Sequence, residues 1–269
     1  MTIKILPEFR PMIWGNFELN RVFGVSAENP IGEVWLLSGH PLYENVLDTK
    51  ETINEFGKKI YNGRYKRFPI LIKLVSTSQW LSVQVHPDDE YAKKVENEPW
   101  GKSEVWYFLT DGELAICEEV NILSELAEHG EFNKLPRYLT FVKIKSGTFV
   151  NIPAGTVHAL GPNSTVIEVQ QSSDLTYRIY DWGRPRETHI QKAISVAKNI
   201  KVSEIVFENT YKLSNGYFTM HVLTDERNFP KEARFPIVRI PLKLSREFCA
   251  SISFEENFSP NDILIYNFL

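Results

Sequence analysis

The sequence predicts a mainly β fold, a sandwich or jelly-roll barrel with a few short helices. Three observations carry that expectation. Short β-branched and aromatic runs recur along the chain, Gly, Pro, Asn and Asp punctuate them, and few stretches space their apolar residues helically. The clearest strand candidates are residues 34–37, 69–75, 81–86, 104–109, 138–144, 166–170 and 175–180.

Helical patterns are short. Residues 48–60 put Ile53, Phe56 and Ile60 on one face, and Asp48 followed by Glu51 resembles a capping box. Pro87, Asp88 and Asp89 suit a first helical turn, where a missing N–H is harmless and acids meet the positive end of the helix. Residues 122–128 stop at Gly130, and residues 187–197 carry Ile190 and Ile194 on one face. No segment repeats at a fixed period. A boundary is expected near residues 183–186, after the strand ending YRIYDWGRPR. It separates a domain at 1–183 from a linker helix and a second, smaller β domain at 184–269, with strands at 217–223, 237–242 and 263–265. That second part is expected to hold no chemistry, since His221 has no ligand-type partner at a suggestive spacing.

Composition excludes several classes. The 269 residues are 43% hydrophobic and 24% charged, a globular balance and not a disordered one. Thirty Lys plus Arg against 34 Asp plus Glu give a net charge of -4, with no general pull on nucleic acid or an anionic membrane. Any anionic partner must therefore be held by a local cluster. Cys117 and Cys249 are too few for a disulfide framework, a Cys-rich zinc site or an iron–sulfur cluster, and both read as buried thiols. No apolar run approaches the roughly 20 residues that span a bilayer. The opening MTIKILPEFRPMIWGN also lacks the apolar core and cleavage site of a secretory signal, so a soluble cytoplasmic protein is expected.

Three stretches carry chemistry. In LSVQVHP, strand alternation sends Leu81, Val83 and Val85 to one face and Ser82, Gln84 and His86 to the other. His86 is then either a structural histidine or a ligand, and Gln84 two residues earlier adds weight to the second. In GKSEVWY, Glu104 shares a face with Trp106 and Phe108; an inward carboxylate there needs a cation or a donor, unless it is an edge residue paired with Lys102. In GTFVNIPAGTVH, Pro153 and Gly155 force a tight turn before His158. Together Gln84, His86, Glu104 and His158 supply an amide oxygen, two imidazoles and one carboxylate. That set suits a divalent first-row metal, Zn2+ before Mn2+, Co2+ or Fe2+, and its single negative charge leaves the ion net positive.

The pattern running from Gly147 through Pro153 and Gly155 to His158 resembles the second motif of the cupin superfamily. More narrowly, LSVQVHP, GKSEVWYFL, IPAGTVHAL, EVQQSSDLTYRIYDWGR and the following PRETH resemble successive signatures of type I mannose-6-phosphate isomerases in their short prokaryotic form, and RPMIWGN resembles that family's entry motif. The resemblance covers roughly residues 11–197. It implies a cupin jelly-roll barrel with a second, shortened cupin-like β domain, one Zn2+ per chain, and interconversion of mannose 6-phosphate and fructose 6-phosphate through a cis-enediol(ate). The family's metal ligands fall on Gln84, His86, Glu104 and His158, its active-site arginine on Arg178 and its lysine on Lys102. Ser82, Glu168 and Asp174 occupy positions that the family places around the sugar phosphate. Glu168, Asp174 or a water on the metal is the candidate proton carrier. His189 opens a helix, with a family role and a helix-packing role both open.

Two departures accompany the resemblance. Between Leu109 and Gly147 there is no room for the large helical insertion of longer members, and the second barrel is expected to lack its closing strands, leaving an edge that a second copy could cover. Monomer and homodimer are both expected states. The rival readings are an isomerase for another hexose phosphate such as glucose 6-phosphate, an iron oxygenase with a two-His–one-carboxylate site, and a non-catalytic sugar-phosphate-binding metal cupin.

Overall fold

Where the sequence is rich in β-branched residues the chain is extended, and the ladders are antiparallel. The computed structural model describes residues 2–225, 229–256 and 258–268. The expected strands appear as Ile31–Leu37, Ile70–Ser76, Val83–Val85, Glu104–Phe108, Thr140–Ile144, Thr165–Gln171 and Tyr177–Tyr180. Four are shorter than expected, and for two of them the local reason is plain. The 3-10 turn Phe132–Tyr138 contains Pro136, which has no N–H for a ladder, so the next strand begins at Thr140. Leu81 spends its N–H on the Leu160 carbonyl and its own carbonyl on the Trp182 indole N–H, and the regular strand starts at Val83.

Helix starts correct the sequence reading: the helix expected over 187–197 begins at Ile190 after His189, and Pro87 lies outside the turn that Asp88 caps. The capping box of the helix Ile53–Ile60 is formed by Thr52 and Glu55, not Asp48 and Glu51. Asp48 and Leu47 instead give their N–H groups to the Lys4 and Glu51 carbonyls, which holds this stretch extended. The helix Phe17–Phe23, absent from the sequence expectations, is capped by Asn16 and stopped by Gly24 at φ 66. Cys117 is buried as expected, whereas Cys249 is only partly so.

The contacts divide the chain into two units that do not follow a single cut at residue 183. One unit comprises Met1–Ser76, Ile167–Ser172 and Asn209–Leu269; the other comprises Thr77–Val166 and Ser173–Glu208. The first gathers both ends of the chain because Thr2–Lys4 pairs with Ser251–Ser253, with Ile3 opposite Ile252. The expected strands near 217–223, 237–242 and 263–265 are Thr219–Val222, Ile237–Pro241 and Asp262–Tyr266, neighbours in the same six-stranded sheet.

The second unit holds a five-stranded sheet in the order Thr140–Ile144, Gly112–Ile116, His158–Leu160, Val83–Val85, Tyr177–Tyr180. Its register puts both His158 and Arg178 directly opposite Gln84, so these three side chains leave the same face in one row. On the other face Val83, Val85, Tyr177 and Ile179 join a core completed by Leu123, Leu126, Leu135, Ala193 and Val196 from the helical segments. A separate ladder pairs Phe149–Ile152 with Glu104–Phe108 and puts Ile152 opposite Glu104. A one-residue slip would exchange the two faces, so burying the valine face also fixes the polar one.

Ile179 is fully buried in that core. Ile179→Ala is expected to cost about 2–5 kcal/mol in urea denaturation, and a cost under about 1 kcal/mol would show that the polar row is not held by this packing.

Candidate active site

The expected ligands arrive from three strands, Gln84 and His86 from the same one. His86 follows Val83–Val85, Glu104 begins Glu104–Phe108, and His158 begins His158–Leu160. His86, Glu104 and His158 are at most 1% exposed and offer donor atoms within 4.8 Å of one another. Glycines make this convergence possible. A Cβ on Gly101 would lie 2.4 Å from the Pro87 carbonyl oxygen, so only glycine lets the Lys102 N–H reach that oxygen at 3.0 Å. Gly155, at φ +97, gives its N–H to the His86 carbonyl and ties the PAGT turn to the first motif.

The hydrogen bonds fix which atoms face the centre. His86 Nδ1 donates to the Leu175 carbonyl at 2.8 Å, and His158 Nδ1 donates to the Thr156 carbonyl at 2.9 Å. Both Nε2 atoms therefore carry lone pairs, and neither has a hydrogen-bond partner. Burial first, then the Lys102 charge, pushes the His86 pKa down; burial, then His86, pushes His158 down to about 3. Burial works against a charged Glu104, but the Lys102 charge, foremost among its neighbours, holds its carboxyl well below the usual range. Lys102 Nζ lies 2.8 Å from Glu104 Oε1, and the Trp106 indole donates to Oε2 at 3.1 Å.

These contacts pose a physical conflict. His86 Nε2 lies 3.3 Å from Glu104 Oε1 and His158 Nε2 lies 4.0 Å from Glu104 Oε2, so lone pairs face a carboxylate in a dry pocket. A cation among the three resolves it, and two imidazoles with one carboxylate are a donor set that a first-row divalent metal accepts. The residues fit a metal. Gln84 lies beside His158 in the row, with its Oε1 accepting from Ser82 Oγ at 3.2 Å.

Arg178 extends the same row but makes a different use of it. Its Nη1 donates to the Glu187 carbonyl at 2.8 Å, and its buried Nε has no partner. Asp181 does not take it, because Arg184 and Arg186 occupy the Asp181 oxygens. Burial, then the Arg186 charge, weakens the hold of Arg178 on its proton, an environment that favours an added anion.

Asp174 is exposed and immediately precedes Leu175, whose carbonyl orients His86. Glu168 belongs to the other unit, where its Oε1 lies 3.0 Å from Lys73 Nζ with both side chains buried. Sequence reasoning missed Lys73, although a lysine inside the apolar run ILIKLVS was a usable signal, since buried lysines are paired. It also missed the two orienting carbonyls and the Trp106 donor, which residue type does not announce.

A family profile described as phosphomannose isomerase type I, catalytic domain, matches residues 3–117. A Bacillus subtilis protein named "Probable mannose-6-phosphate isomerase GmuF" is 35% identical over 244 residues, 81% of this chain and 75% of that protein. The chain belongs to the type I phosphomannose isomerases. A second member, the Streptococcus mutans mannose-6-phosphate isomerase, is 34% identical over 78% of this chain and 74% of its own. The crystal structure of the Bacillus subtilis mannose 6-phosphate isomerase superposes with a TM-score of 0.72 at 26% identity, covering 98% of this chain and 93% of that one. The mainly β architecture is thus the family's cupin fold.

Gly101→Ala is expected to lower bound metal per chain, read by elemental analysis, because its Cβ would push the Lys102–Glu104 segment off the Pro87–Asp88 backbone. Full metal content in a folded Gly101→Ala protein would contradict that role. At Asp181, burial opposes the charge but Arg186 and Arg184 outweigh it, leaving the carboxyl pKa depressed. Its contribution is present above about pH 4 and lost as pH falls through the folded value. Asp181→Asn is expected to cost about 3–5 kcal/mol at neutral pH and to flatten the acid limb of the stability curve.

Proposed function

We propose that the chain interconverts mannose 6-phosphate and fructose 6-phosphate, with His86, Glu104, His158 and Gln84 holding one divalent metal, Zn2+ before its first-row neighbours. The observation that carries this reading is the pair of unpartnered Nε2 lone pairs facing the buried Glu104 carboxylate. Family membership supplies the reaction class. The metal, when bound, supplies positive charge where sugar oxygens become negative.

The protein's own groups do the rest. Moving a proton between C1 and C2 leaves negative charge on the sugar oxygens, and a fixed cation aimed there is worth most in a water-poor pocket. Lys102, buried and held by Glu104, is a point charge suited to one such oxygen. Arg178, with Nε unpartnered, presents a planar fork to the phosphate or to the enediolate. Ser82, nearly buried beside Gln84, offers a hydroxyl to the sugar. Proton transfer is assigned to the carboxylates Glu168 and Asp174. Glu168 is held by the Lys73 ammonium and Asp174 is exposed, so the two differ in how firmly they are positioned. A cytoplasmic location belongs to the same proposal.

A coupled assay following fructose 6-phosphate from mannose 6-phosphate is expected to show turnover that chelation abolishes and Zn2+ restores. His158→Ala should lose both metal and activity. Arg178→Ala should keep its metal and lose about 10²–10³ in kcat/KM, the size of one lost charge-stabilising donor. Absence of turnover with every first-row metal, in folded protein, would overturn the isomerase reading. Glu168→Gln and Asp174→Asn separate the proton carriers: the variant that stops solvent deuterium from entering C1 of fructose 6-phosphate while keeping its metal marks the base.

A further inference from the structure

Arg178 lies on an edge strand. In the sheet order Tyr177–Tyr180 is terminal, with Val83–Val85 as its one neighbour, so alternate N–H and C=O groups face outward without a ladder. At Arg178 one residue takes both groups. The His189 backbone N–H donates to the Arg178 carbonyl at 2.7 Å, and the Arg178 N–H donates to His189 Nδ1 at 3.2 Å. Two residues earlier, the Glu187 carbonyl accepts from the Arg178 guanidinium at 2.8 Å. One short segment thus holds this arginine at its backbone and at the end of its side chain.

The segment is itself anchored. His189 is the N-cap of the helix Ile190–Val196, and its carbonyl accepts the first helical hydrogen bond, from Ala193. Ala193 and Val196 are buried in the core behind the sheet. The imidazole is therefore a rigid connection between that helix and Arg178.

We propose that His189 is a positioning residue for Arg178, acting through the Nδ1 acceptor and its backbone N–H to aim the guanidinium at the anionic substrate. This rests on the isomerase reading for its kinetic consequence, though not for the brace itself. An arginine free to sample several rotamers must be ordered at each encounter, and a braced one is already in place. Nδ1 has to be unprotonated to accept the Arg178 N–H, so an acceptor at the δ position, and not an imidazole as such, is what the brace requires.

The test is a double-mutant cycle on the metal-loaded enzyme with mannose 6-phosphate. His189→Ala is expected to reduce kcat/KM about tenfold, in the same parameter, kcat or KM, that Arg178→Ala changes most, with metal content unchanged. Arg178→Ala combined with His189→Ala should be no worse than Arg178→Ala alone. His189→Asn places an amide oxygen where Nδ1 lies and should recover to within about threefold of wild type. Effects of the two alanine variants that multiply, or an asparagine variant as impaired as the alanine one, would overturn the proposal and leave His189 as a helix cap only. Exchange of the Arg178 amide proton, followed by NMR, reads the brace without turnover: it should speed up in His189→Ala and slow again in His189→Asn. A wild-type enzyme inactive on hexose phosphates would sink the isomerase reading, and the amide exchange would then decide the brace alone, unchanged exchange in His189→Ala refuting it.

Discussion

A carboxylate taken out of water must be answered by positive charge or by donors, and Glu104 sets this demand for the whole catalytic unit. Lys102 and the Trp106 indole answer part of it. The rest falls on whatever lies between Glu104 and two imidazoles whose protons are turned away toward backbone carbonyls. Neutral histidines and a charged carboxylate are the protonation states a metal site needs, and here burial and Lys102 produce them before any ion enters.

Geometry is delivered by register more than by loops. One face of the five-stranded sheet is sealed by Val83, Val85 and Ile179, so the opposite face cannot slip, and Gln84, His158 and Arg178 stay in line. Gln84, His158 and the arginine are therefore spaced by the pitch between neighbouring strands.

Much of this was legible in the sequence because strand alternation has period two. That rule put Ser82, Gln84 and His86 together and Glu104 with Trp106, and the structure keeps both groupings. Side chains that function in pairs across long separations were less legible. Lys73 and Glu168 meet only once strands distant in sequence have assembled, and nothing local to either residue names the other. Helix starts failed for a related reason: Asp48 and Glu51 have capping spacing, but the Lys4 carbonyl claims the Asp48 N–H first. The grouping of Thr2–Lys4 with Ser251–Ser253 was hidden by the same loss of long-range information.

The PAGT turn has a consequence for how the protein is made. Gly155 donates to the His86 carbonyl and accepts from the Lys198 N–H, so three distant stretches of chain meet at one glycine. Contacts of that kind form late, because the loops they close must be ordered first. The residue-198 stretch and the strand end that carries His86 are thus joined through a single backbone position, and a change in either is transmitted to the other.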